Sequence, residues 1–216
     1  MLAPHLGARH NRAVSSARQR NPLEPRAART SRALQEALFT LLAEHDLADI
    51  TVSQLCREAD VHRTTFYGHY PTIEAFASDV FADMLDSLAD VGGSPEAFDD
   101  VDADAVSSAY DVALIDELQH ILENRAVYRR LFALTNDAGF RRTLSERMRA
   151  RADLAVEVWR RHDLALASDP AVLAAHIAGG LVGALELWAT SDRTDVEVFA
   201  AAVVDTMPPW WPRVSR

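Results

Sequence analysis

Apolar residues recur at the spacing of an α-helix along most of this 216-residue chain, whereas the alternation typical of a half-buried strand is scarce. A first helix from about Thr30 is marked by apolar positions that share one face: Ala33, Leu34, Ala37, Leu38, Leu41 and Leu42. Further runs predict helices at about 104–124, 126–135, 138–162, 169–190 and 195–207. We therefore expect an all-α protein.

Capping signals divide the helical pattern into two parts. Thr51 and Gln54 have the spacing of a capping box, and Thr194 with Glu197 repeats it near the end of the chain. Thr72 can cap a long fourth helix that ends by Gly92-Gly93. We expect an N-terminal three-helix unit, joined by this fourth helix to a larger C-terminal helical bundle.

Charge is distributed unevenly along the chain. All 22 basic residues are arginine, and the net charge is −10. Residues 1–32 hold seven arginines and one acid, a net of +6, which leaves −16 on the other 184 residues. A basic end on an acidic body favours a local anionic partner such as DNA.

Residues 1–28 are predicted to form a flexible basic arm, because they hold three prolines and no sustained apolar period. An arginine-rich, acid-poor start is also found in organelle transit peptides, so that alternative stays open.

A tight turn at 60–62 separates two short predicted helices, the second from Thr51 and the third from Arg63 to Tyr70. This arrangement is typical of a helix-turn-helix. The buried face would be formed by Leu38, Leu42, Val52, Leu55, Cys56, Ala59, Val61, Phe66 and Tyr70. The third helix would then present a face rich in hydrogen-bond donors and free of acids, as a helix in the major groove requires. We predict these DNA-binding residues: Thr51, Ser53, Arg63, Thr64, Thr65, Tyr67, Gly68 and His69.

The run from Ile50 to Tyr70, ITVSQLCREADVHRTTFYGHY, resembles the DNA-binding signature of the TetR family of bacterial transcriptional regulators. The resemblance covers residues 30–80, and elsewhere rests on length and helix layout. It implies a dimeric, all-helical repressor whose C-terminal domain binds a small molecule and dimerises through its last two long helices. It places the DNA-binding domain at 29–75 and the dimerisation and ligand domain at 76–216.

The resemblance also assigns roles to single positions. Thr51, Thr65, Tyr67 and His69 match the family's phosphate-contacting set. Arg63 and Thr64 match positions that reach base edges, where arginine can bond guanine O6 and N7.

Three positions depart from the family's pattern. Asp46 and Asp60 stand where glycine is usual, and aspartate tolerates the left-handed conformation better than most residues. Ile73 replaces a lysine near the start of the fourth helix, so one phosphate contact is missing or shifted. One hypothesis is that the basic arm compensates by entering the minor groove.

Residues 171–189 are apolar except for His176 and Glu186. In lipid, the Gly179-x-x-x-Gly183 spacing would indicate a dimerising membrane span. The Asp169-Pro170 cap and the amphipathic helix that follows favour a buried helix of a soluble dimer instead. We predict a homodimer interface at Gly179, Gly180, Gly183, Ala184, Leu187, Val198, Ala202 and Val203.

Large side chains recur on the inward stripes of the C-terminal helices. Most belong in a core, and some are candidates to line an apolar pocket for a small-molecule effector. The candidate pocket residues are Tyr128, Phe132, Phe140, Met148, Trp159 and Trp188.

Other reactive residues carry weaker signals. Cys56 lies on an apolar stripe, so core packing is favoured over redox sensing. The aspartates at 100–104 with Asp111 lack the glycine and glutamate of a calcium loop, which favours a solvated acidic loop. Asp116 and His120 share a helix face, but one such pair is a weak metal signal. We expect no metal site and no cofactor.

The sequence contains no nucleophile elbow, phosphate-binding glycine loop, zinc-protease motif or dinucleotide fingerprint. We expect a cytoplasmic DNA-binding regulator, not an enzyme: a dimeric repressor of a palindromic operator on double-stranded DNA, released by an effector. A regulator of the same fold without a ligand, constitutive or controlled by a protein partner, is the alternative. A helical enzyme or carrier with a vestigial helix-turn-helix is a third.

Overall fold

The computed structural model describes residues 26–90, 94–134, 139–162, 168–208 and 211. Residues 1–25 of the predicted basic arm, and the Gly92-Gly93 pair, therefore lie outside the described residues. Within the described ranges the chain is helical, with no strand, which confirms the all-α prediction.

The described residues form nine α-helices, whose order follows the predicted one. Their bounds are α1 Arg26–Leu42, α2 Val52–Glu58, α3 Arg63–Tyr67, α4 Ile73–Leu88, α5 Ala103–Glu123, α6 Arg125–Phe132, α7 Phe140–Arg161, α8 Pro170–Thr190 and α9 Val196–Asp205. Two short 3-10 helices, Leu47–Asp49 and Pro95–Phe98, lie in segments between the predicted helices. Each of them buries one apolar side chain.

Two helix starts differ from the prediction. The first helix begins at Arg26, inside the predicted arm, because alanines and arginines after Pro25 favour helix and nothing interrupts them. The last helix is capped by Asp195, whose carboxylate accepts from the Val198 N–H at 3.1 Å. The predicted Thr194 cap was therefore wrong by one residue, since aspartate is at least as good a cap as threonine.

The core of the C-terminal bundle is organised by two buried aromatic side chains. Tyr128 on α6 packs edge-on against Phe81 of α4 and Phe140 of α7, which joins three helices. Trp188 on α8 stacks near Phe199 of α9 and donates its indole N–H to the Leu118 carbonyl at 2.8 Å. A buried indole with a satisfied N–H stabilises the contact between α5 and α8.

The C-terminal end of α8 is held by two arginines of α6. Arg129 donates to the carbonyl oxygens of Ala189 and Ser191, at 3.1 and 2.8 Å. Arg125 donates to Ser191 at 2.9 Å. Positive charges stabilise the C-terminal end of a helix, where the last carbonyl groups lack partners within the helix. The two arginines of α6 therefore fix where α8 ends.

Helix α8 is long and apolar enough to cross a membrane by length and composition, with a mean hydropathy of 1.6 over its most apolar window. The same test is passed by core helices of soluble proteins. In the structure one side of α8 is buried against α7 and its neighbours, and the other side is exposed.

Candidate nucleic-acid interface and interior cavity

Helix α2 begins with the predicted capping box. The Thr51 hydroxyl oxygen accepts from the Gln54 N–H at 3.2 Å, and the Gln54 side chain accepts from the Thr51 N–H at 2.9 Å. Thr51 and Ser53 remain exposed at this helix end. Exposed hydroxyls beside the positive end of a helix suit contact with a phosphate.

The turn between α2 and α3 depends on Asp60, whose φ of 52° lies in the left-handed region. Its N–H donates to the Arg57 carbonyl, and the Val61 N–H donates to the Cys56 carbonyl at 2.9 Å. These two hydrogen bonds form a Schellman motif, which ends α2 and redirects the chain into α3. Asp60 thus adopts the left-handed conformation in place of glycine. The same expectation for Asp46, after the first helix, was wrong, because its φ of −69° is extended backbone that needs no glycine.

Helix α3 is anchored from behind by aromatic side chains. Phe66 is fully buried, and its ring lies 5.9 Å from the ring centres of both Tyr70 and Phe76. Phe76 belongs to α4, so the orientation of α3 is tied to the start of the fourth helix. The predicted buried face of the helix-turn-helix is confirmed, since all nine of its residues are buried or half-buried.

The outer face of α3 carries the predicted contact residues together. Six side chains or backbone positions are exposed there: Arg63, Thr64, Thr65, Tyr67, Gly68 and His69. The Arg63 guanidinium lies over the Tyr67 ring, 5.8 Å from its centre. This stacking holds the guanidinium on the outer face without using its hydrogen-bond donors.

Two neighbouring residues take structural roles. Ile73, which stands where the family has a lysine, is buried in the core, so this position offers no phosphate contact. Cys56 is a free thiol buried in the same core, and burial raises its pKa despite the nearby Arg63. Both observations favour packing over chemistry for Cys56.

A cavity of about 60 Å³ lies inside the C-terminal bundle, where α5, α7, α8 and α9 meet the end of α4. Its wall is mostly apolar, and four alanines leave the space open: Ala89, Ala113, Ala152 and Ala155. The polar part of the wall is Tyr110, Asp111, Glu117 and Arg151.

Glu117 and Arg151 form a buried ion pair in that wall. The carboxylate is 2% exposed, and the guanidinium donates two hydrogen bonds to it at 3.0 and 3.1 Å. Burial raises the pKa of Glu117 to about 7, although Arg151 opposes the shift. The carboxylate would be far more costly to bury without its partner.

The predicted pocket residues are only partly brought together. Met148 lines the cavity. The other five are buried elsewhere in the core: Tyr128, Phe132, Phe140, Trp159 and Trp188. They fill space with ring contacts, such as Phe132 against Phe140 at 4.9 Å, and leave no room for a ligand.

Sequence reasoning missed the polar wall of the cavity. A signal for it exists, because Glu117 interrupts the apolar stripe of α5 that contains Ala113, Leu114, Leu118 and Ile121. An acid at such a position requires a buried partner or a ligand.

Most of the predicted dimer residues are exposed on α8 and α9, and we call this set of exposed positions the α8/α9 face. Its exposed members are Gly179, Gly180, Gly183, Leu187, Val198 and Ala202. A carbon built on any of the three glycines would meet no described atom within 4 Å. Ala184 is half-buried, and Val203 is 7% exposed because it packs into the chain's own core.

The histidines do not join other ligands. Among the described residues no group of three or more His, Cys, Asp or Glu side chains is placed to hold a metal ion. His120 instead packs against Phe81 and Tyr128, and burial lowers its pKa. In the acidic loop, Asp102 caps α5 by accepting from the Asp104 N–H at 2.7 Å.

Comparison with known proteins finds one curated relative of part of the chain and several solved structures of similar fold. No known family profile matches the chain. A relative from Bacillus subtilis (strain 168), YxbF, named as an uncharacterized HTH-type transcriptional regulator, is 36% identical over 81 residues. The match covers 35% of this chain and 21% of the relative, so the chain spans about a fifth of that protein's length.

Solved structures match the fold of most of the chain. DhaS, described as a dihydroxyacetone kinase operon activator, has a TM-score of 0.58 at 17% identity, over 82% of this chain and 93% of its own. RolR in complex with resorcinol has a TM-score of 0.58 at 19% identity, over 83% and 88% of the two chains. AlkX, a TetR family repressor from Dietzia sp. strain DQ12-45-1b, has a TM-score of 0.52 at 15% identity, over 83% and 94%.

This chain therefore has the fold of the TetR family of transcriptional regulators. The resemblance carried by residues 50–70 is confirmed at the level of the fold, and the similar proteins are named as regulators, not enzymes.

Proposed function

We propose that this protein is a cytoplasmic transcriptional repressor that binds a palindromic operator as a homodimer and is released by a small-molecule effector. The observation that carries the proposal is the outer face of α3. Arg63, Thr65 and Tyr67 are exposed together, and Phe66 anchors the helix from behind. A rigid helix with such a face fits the major groove.

The predicted DNA-binding residues of α2 and α3 divide by role. Arg63 is proposed to read a guanine, since stacking on Tyr67 leaves its donors free for O6 and N7. Thr51, Ser53 and His69 are proposed to bind phosphates, which fix the register of the protein on the duplex.

The folded DNA-binding unit needs positive charge from elsewhere. Residues 29–75 contain four arginines and seven acids, a net charge of −3. Affinity for the phosphate backbone depends on cations, so we propose that the arginines of residues 1–25 supply it. A location in the minor groove is consistent with such an arm.

Dimerisation is proposed to occur through the α8/α9 face. Leu187 is 52% exposed and Val198 is 65% exposed, although both are large apolar side chains. The exposed glycines of α8 let a second helix approach closely. A second copy of this chain would cover an apolar surface that α8 otherwise presents to water.

Coupling between effector and operator is proposed to run through α4. Ala89, which ends this helix, lines the cavity, and Phe76 near its start packs against Phe66 of α3. A ligand that favours a shifted position of α4 would change the spacing of the two α3 helices and release the operator. RolR, a structure of similar fold, has been solved with resorcinol bound, which supports the presence of an effector.

The alternative is a regulator of the same fold without a small-molecule ligand. The small volume of the cavity favours it, since 60 Å³ is less than half of the roughly 150 Å³ of an engineered cavity that binds benzene. The two readings differ in whether any small molecule changes operator affinity.

The proposal is tested by capture of DNA from a random pool of duplexes with purified full-length protein. We expect an inverted repeat to be enriched, with a spacing set by one dimer. Absence of any enriched motif would contradict DNA recognition. Repeating the capture with candidate effectors then separates the effector-released repressor from its ligand-free alternative.

A further inference from the structure

The interior cavity has a lining that restricts the chemistry of its ligand. Apolar contacts come from Leu114, Ile177, Leu181, Val204 and Trp211. At about 60 Å³ the space admits no more than a single ring, and even that requires the wall to adjust. Met148 and Met207 line it, and methionine side chains re-pack more readily than branched ones.

Two charged groups of the wall, Glu117 and Arg151, already neutralise each other. Both hydrogen bonds from Arg151 end on the same oxygen of Glu117, and the pair is shielded from water. Asp111 adds a second carboxylate to the lining, and this carboxylate also has a partner already. An anionic ligand would meet two carboxylates and one guanidinium that is engaged, and a cationic ligand would compete with Arg151 for Glu117. Either charge would lose hydration without gaining a free counter-ion.

One polar group of the wall is left for a ligand. The Tyr110 hydroxyl oxygen is buried and has no hydrogen-bond partner in the part of the chain that the structure describes. Burial also raises the pKa of Tyr110 to about 12, so the hydroxyl keeps its proton and can both donate and accept. An unmade hydrogen bond at a buried hydroxyl is destabilising, and a ligand with a matching group would remove that cost.

The Tyr110 ring is held in place by two indoles. Its centre lies 5.9 Å from that of Trp159 and 5.4 Å from that of Trp211, and the two indoles contact each other at 5.4 Å. This cluster fixes the direction of the hydroxyl, which is what a selective hydrogen bond requires.

We propose that the cavity selects a small uncharged molecule, no larger than a single ring, that carries a hydroxyl group, and that Tyr110 recognises this hydroxyl. The biological role of such a ligand rests on the proposed function, whereas its binding does not depend on DNA.

The experiment is calorimetric titration of the full-length protein with four probes that share one ring: phenol, toluene, benzoate and benzylamine. We expect phenol to bind at least about tenfold more tightly than the other three, which corresponds to about 1.4 kcal/mol. The variant Tyr110→Phe should bind phenol only as well as toluene, and its affinity for toluene should match that of the wild type.

Tyr128→Phe is the matched control, because Tyr128 is also buried but its hydroxyl donates to the Phe81 carbonyl at 3.4 Å, away from the cavity wall. This variant should keep the preference for phenol. Equal affinity for phenol and toluene, tighter binding of benzoate or benzylamine, or no binding of any probe would overturn the inference.

A separate arm adds phenol to a preformed protein–operator complex. Release of DNA supports both the ligand class and the effector role. Binding of phenol that Tyr110→Phe abolishes, without release of DNA, supports the ligand class and contradicts the effector role. Failure to bind DNA in the presence of normal phenol binding contradicts the regulator proposal alone.

Discussion

Arg151 on α7 donates two hydrogen bonds to a single carboxylate oxygen of Glu117 on α5, at 3.0 and 3.1 Å. The same guanidinium lies 3.5 Å from the carbonyl oxygen of Leu85 on α4. One buried ion pair thus connects the cavity wall to the helix that begins at the DNA-binding unit. We therefore expect a change in this pair to alter both the stability of the protein and the position of α4.

The substitution Glu117→Gln should change how stability depends on pH. Because the pKa of Glu117 is raised from 4.5 to about 7, the folded state binds this proton more tightly than the unfolded state. The resulting stabilisation is present at low pH and is lost as pH rises through that window. As pH rises through this window, the free energy of unfolding of the wild type should therefore fall by up to about 3 kcal/mol relative to that of Glu117→Gln.

Urea unfolding of the wild type and Glu117→Gln, at pH values on both sides of the window, checks this. Glu123→Gln is the control, since Glu123 lies exposed on the same helix. Parallel stability curves for the wild type and Glu117→Gln would contradict the raised pKa of the buried Glu117 carboxyl. Arg151 and Asp86 are the charged groups that act on this carboxyl, so both stay unchanged in the comparison.

The substitution Asp60→Gly should stabilise the protein. Glycine adopts the φ of 52° without steric cost, whereas a residue with a side chain carries a cost of about 1 kcal/mol there. Thermal unfolding should show a higher free energy of unfolding for Asp60→Gly. Asp60→Asn, which removes the charge and keeps the tolerance of the left-handed region, should stay close to the wild type. Stabilisation of both variants would point to charge instead of backbone strain.

Removal of residues 1–25 should weaken operator binding and reduce its dependence on salt. Each arginine–phosphate contact that is lost lowers the slope of log affinity against log salt by about 0.9. Fluorescence anisotropy at several salt concentrations measures this slope. A variant that keeps the segment but carries glutamine in place of Arg9, Arg12, Arg18 and Arg20 should behave like the deletion. An unchanged slope in both would refute the role of the arm.

Arginine at Leu187 or Val198 should prevent dimerisation. Each substitution places a charge in the α8/α9 face, where a second copy would bury it without a partner. Sedimentation velocity should show monomers for both variants. Val112→Arg is the control, because Val112 is 56% exposed on α5, outside this face. Wild-type dimers in Leu187→Arg and Val198→Arg would contradict the proposed interface.

Much of the architecture is predictable from local sequence signals. Apolar periodicity and caps located the helices, because the capping box at Thr51 and the proline after Asp169 act through neighbouring residues. The exposed face of α3 was predictable for the same reason, since the burial of Phe66 orients the short helix.

The cavity was not predictable in this way. Large aromatic residues were chosen as pocket candidates, yet in a close-packed bundle large side chains fill space and small ones leave it. The cavity lies where alanines of three segments face one another across the bundle. Such a meeting depends on how helices pack. The burial of Val203, in contrast, follows from helical periodicity, because Val203 lies four residues after buried Phe199 and seven after buried Val196.

The central claim is that the outer face of α3 reads DNA, and selection of bound duplexes from a random pool tests it most directly. The wild type, Arg63→Ala and Arg149→Ala are compared, since Arg149 is an arginine on α7 paired with Asp153, away from α3. We predict an inverted repeat for the wild type and Arg149→Ala, and loss of preference for one base pair in each half-site for Arg63→Ala, about 1–3 kcal/mol. An unchanged consensus for Arg63→Ala, or no consensus for the wild type, would contradict the account.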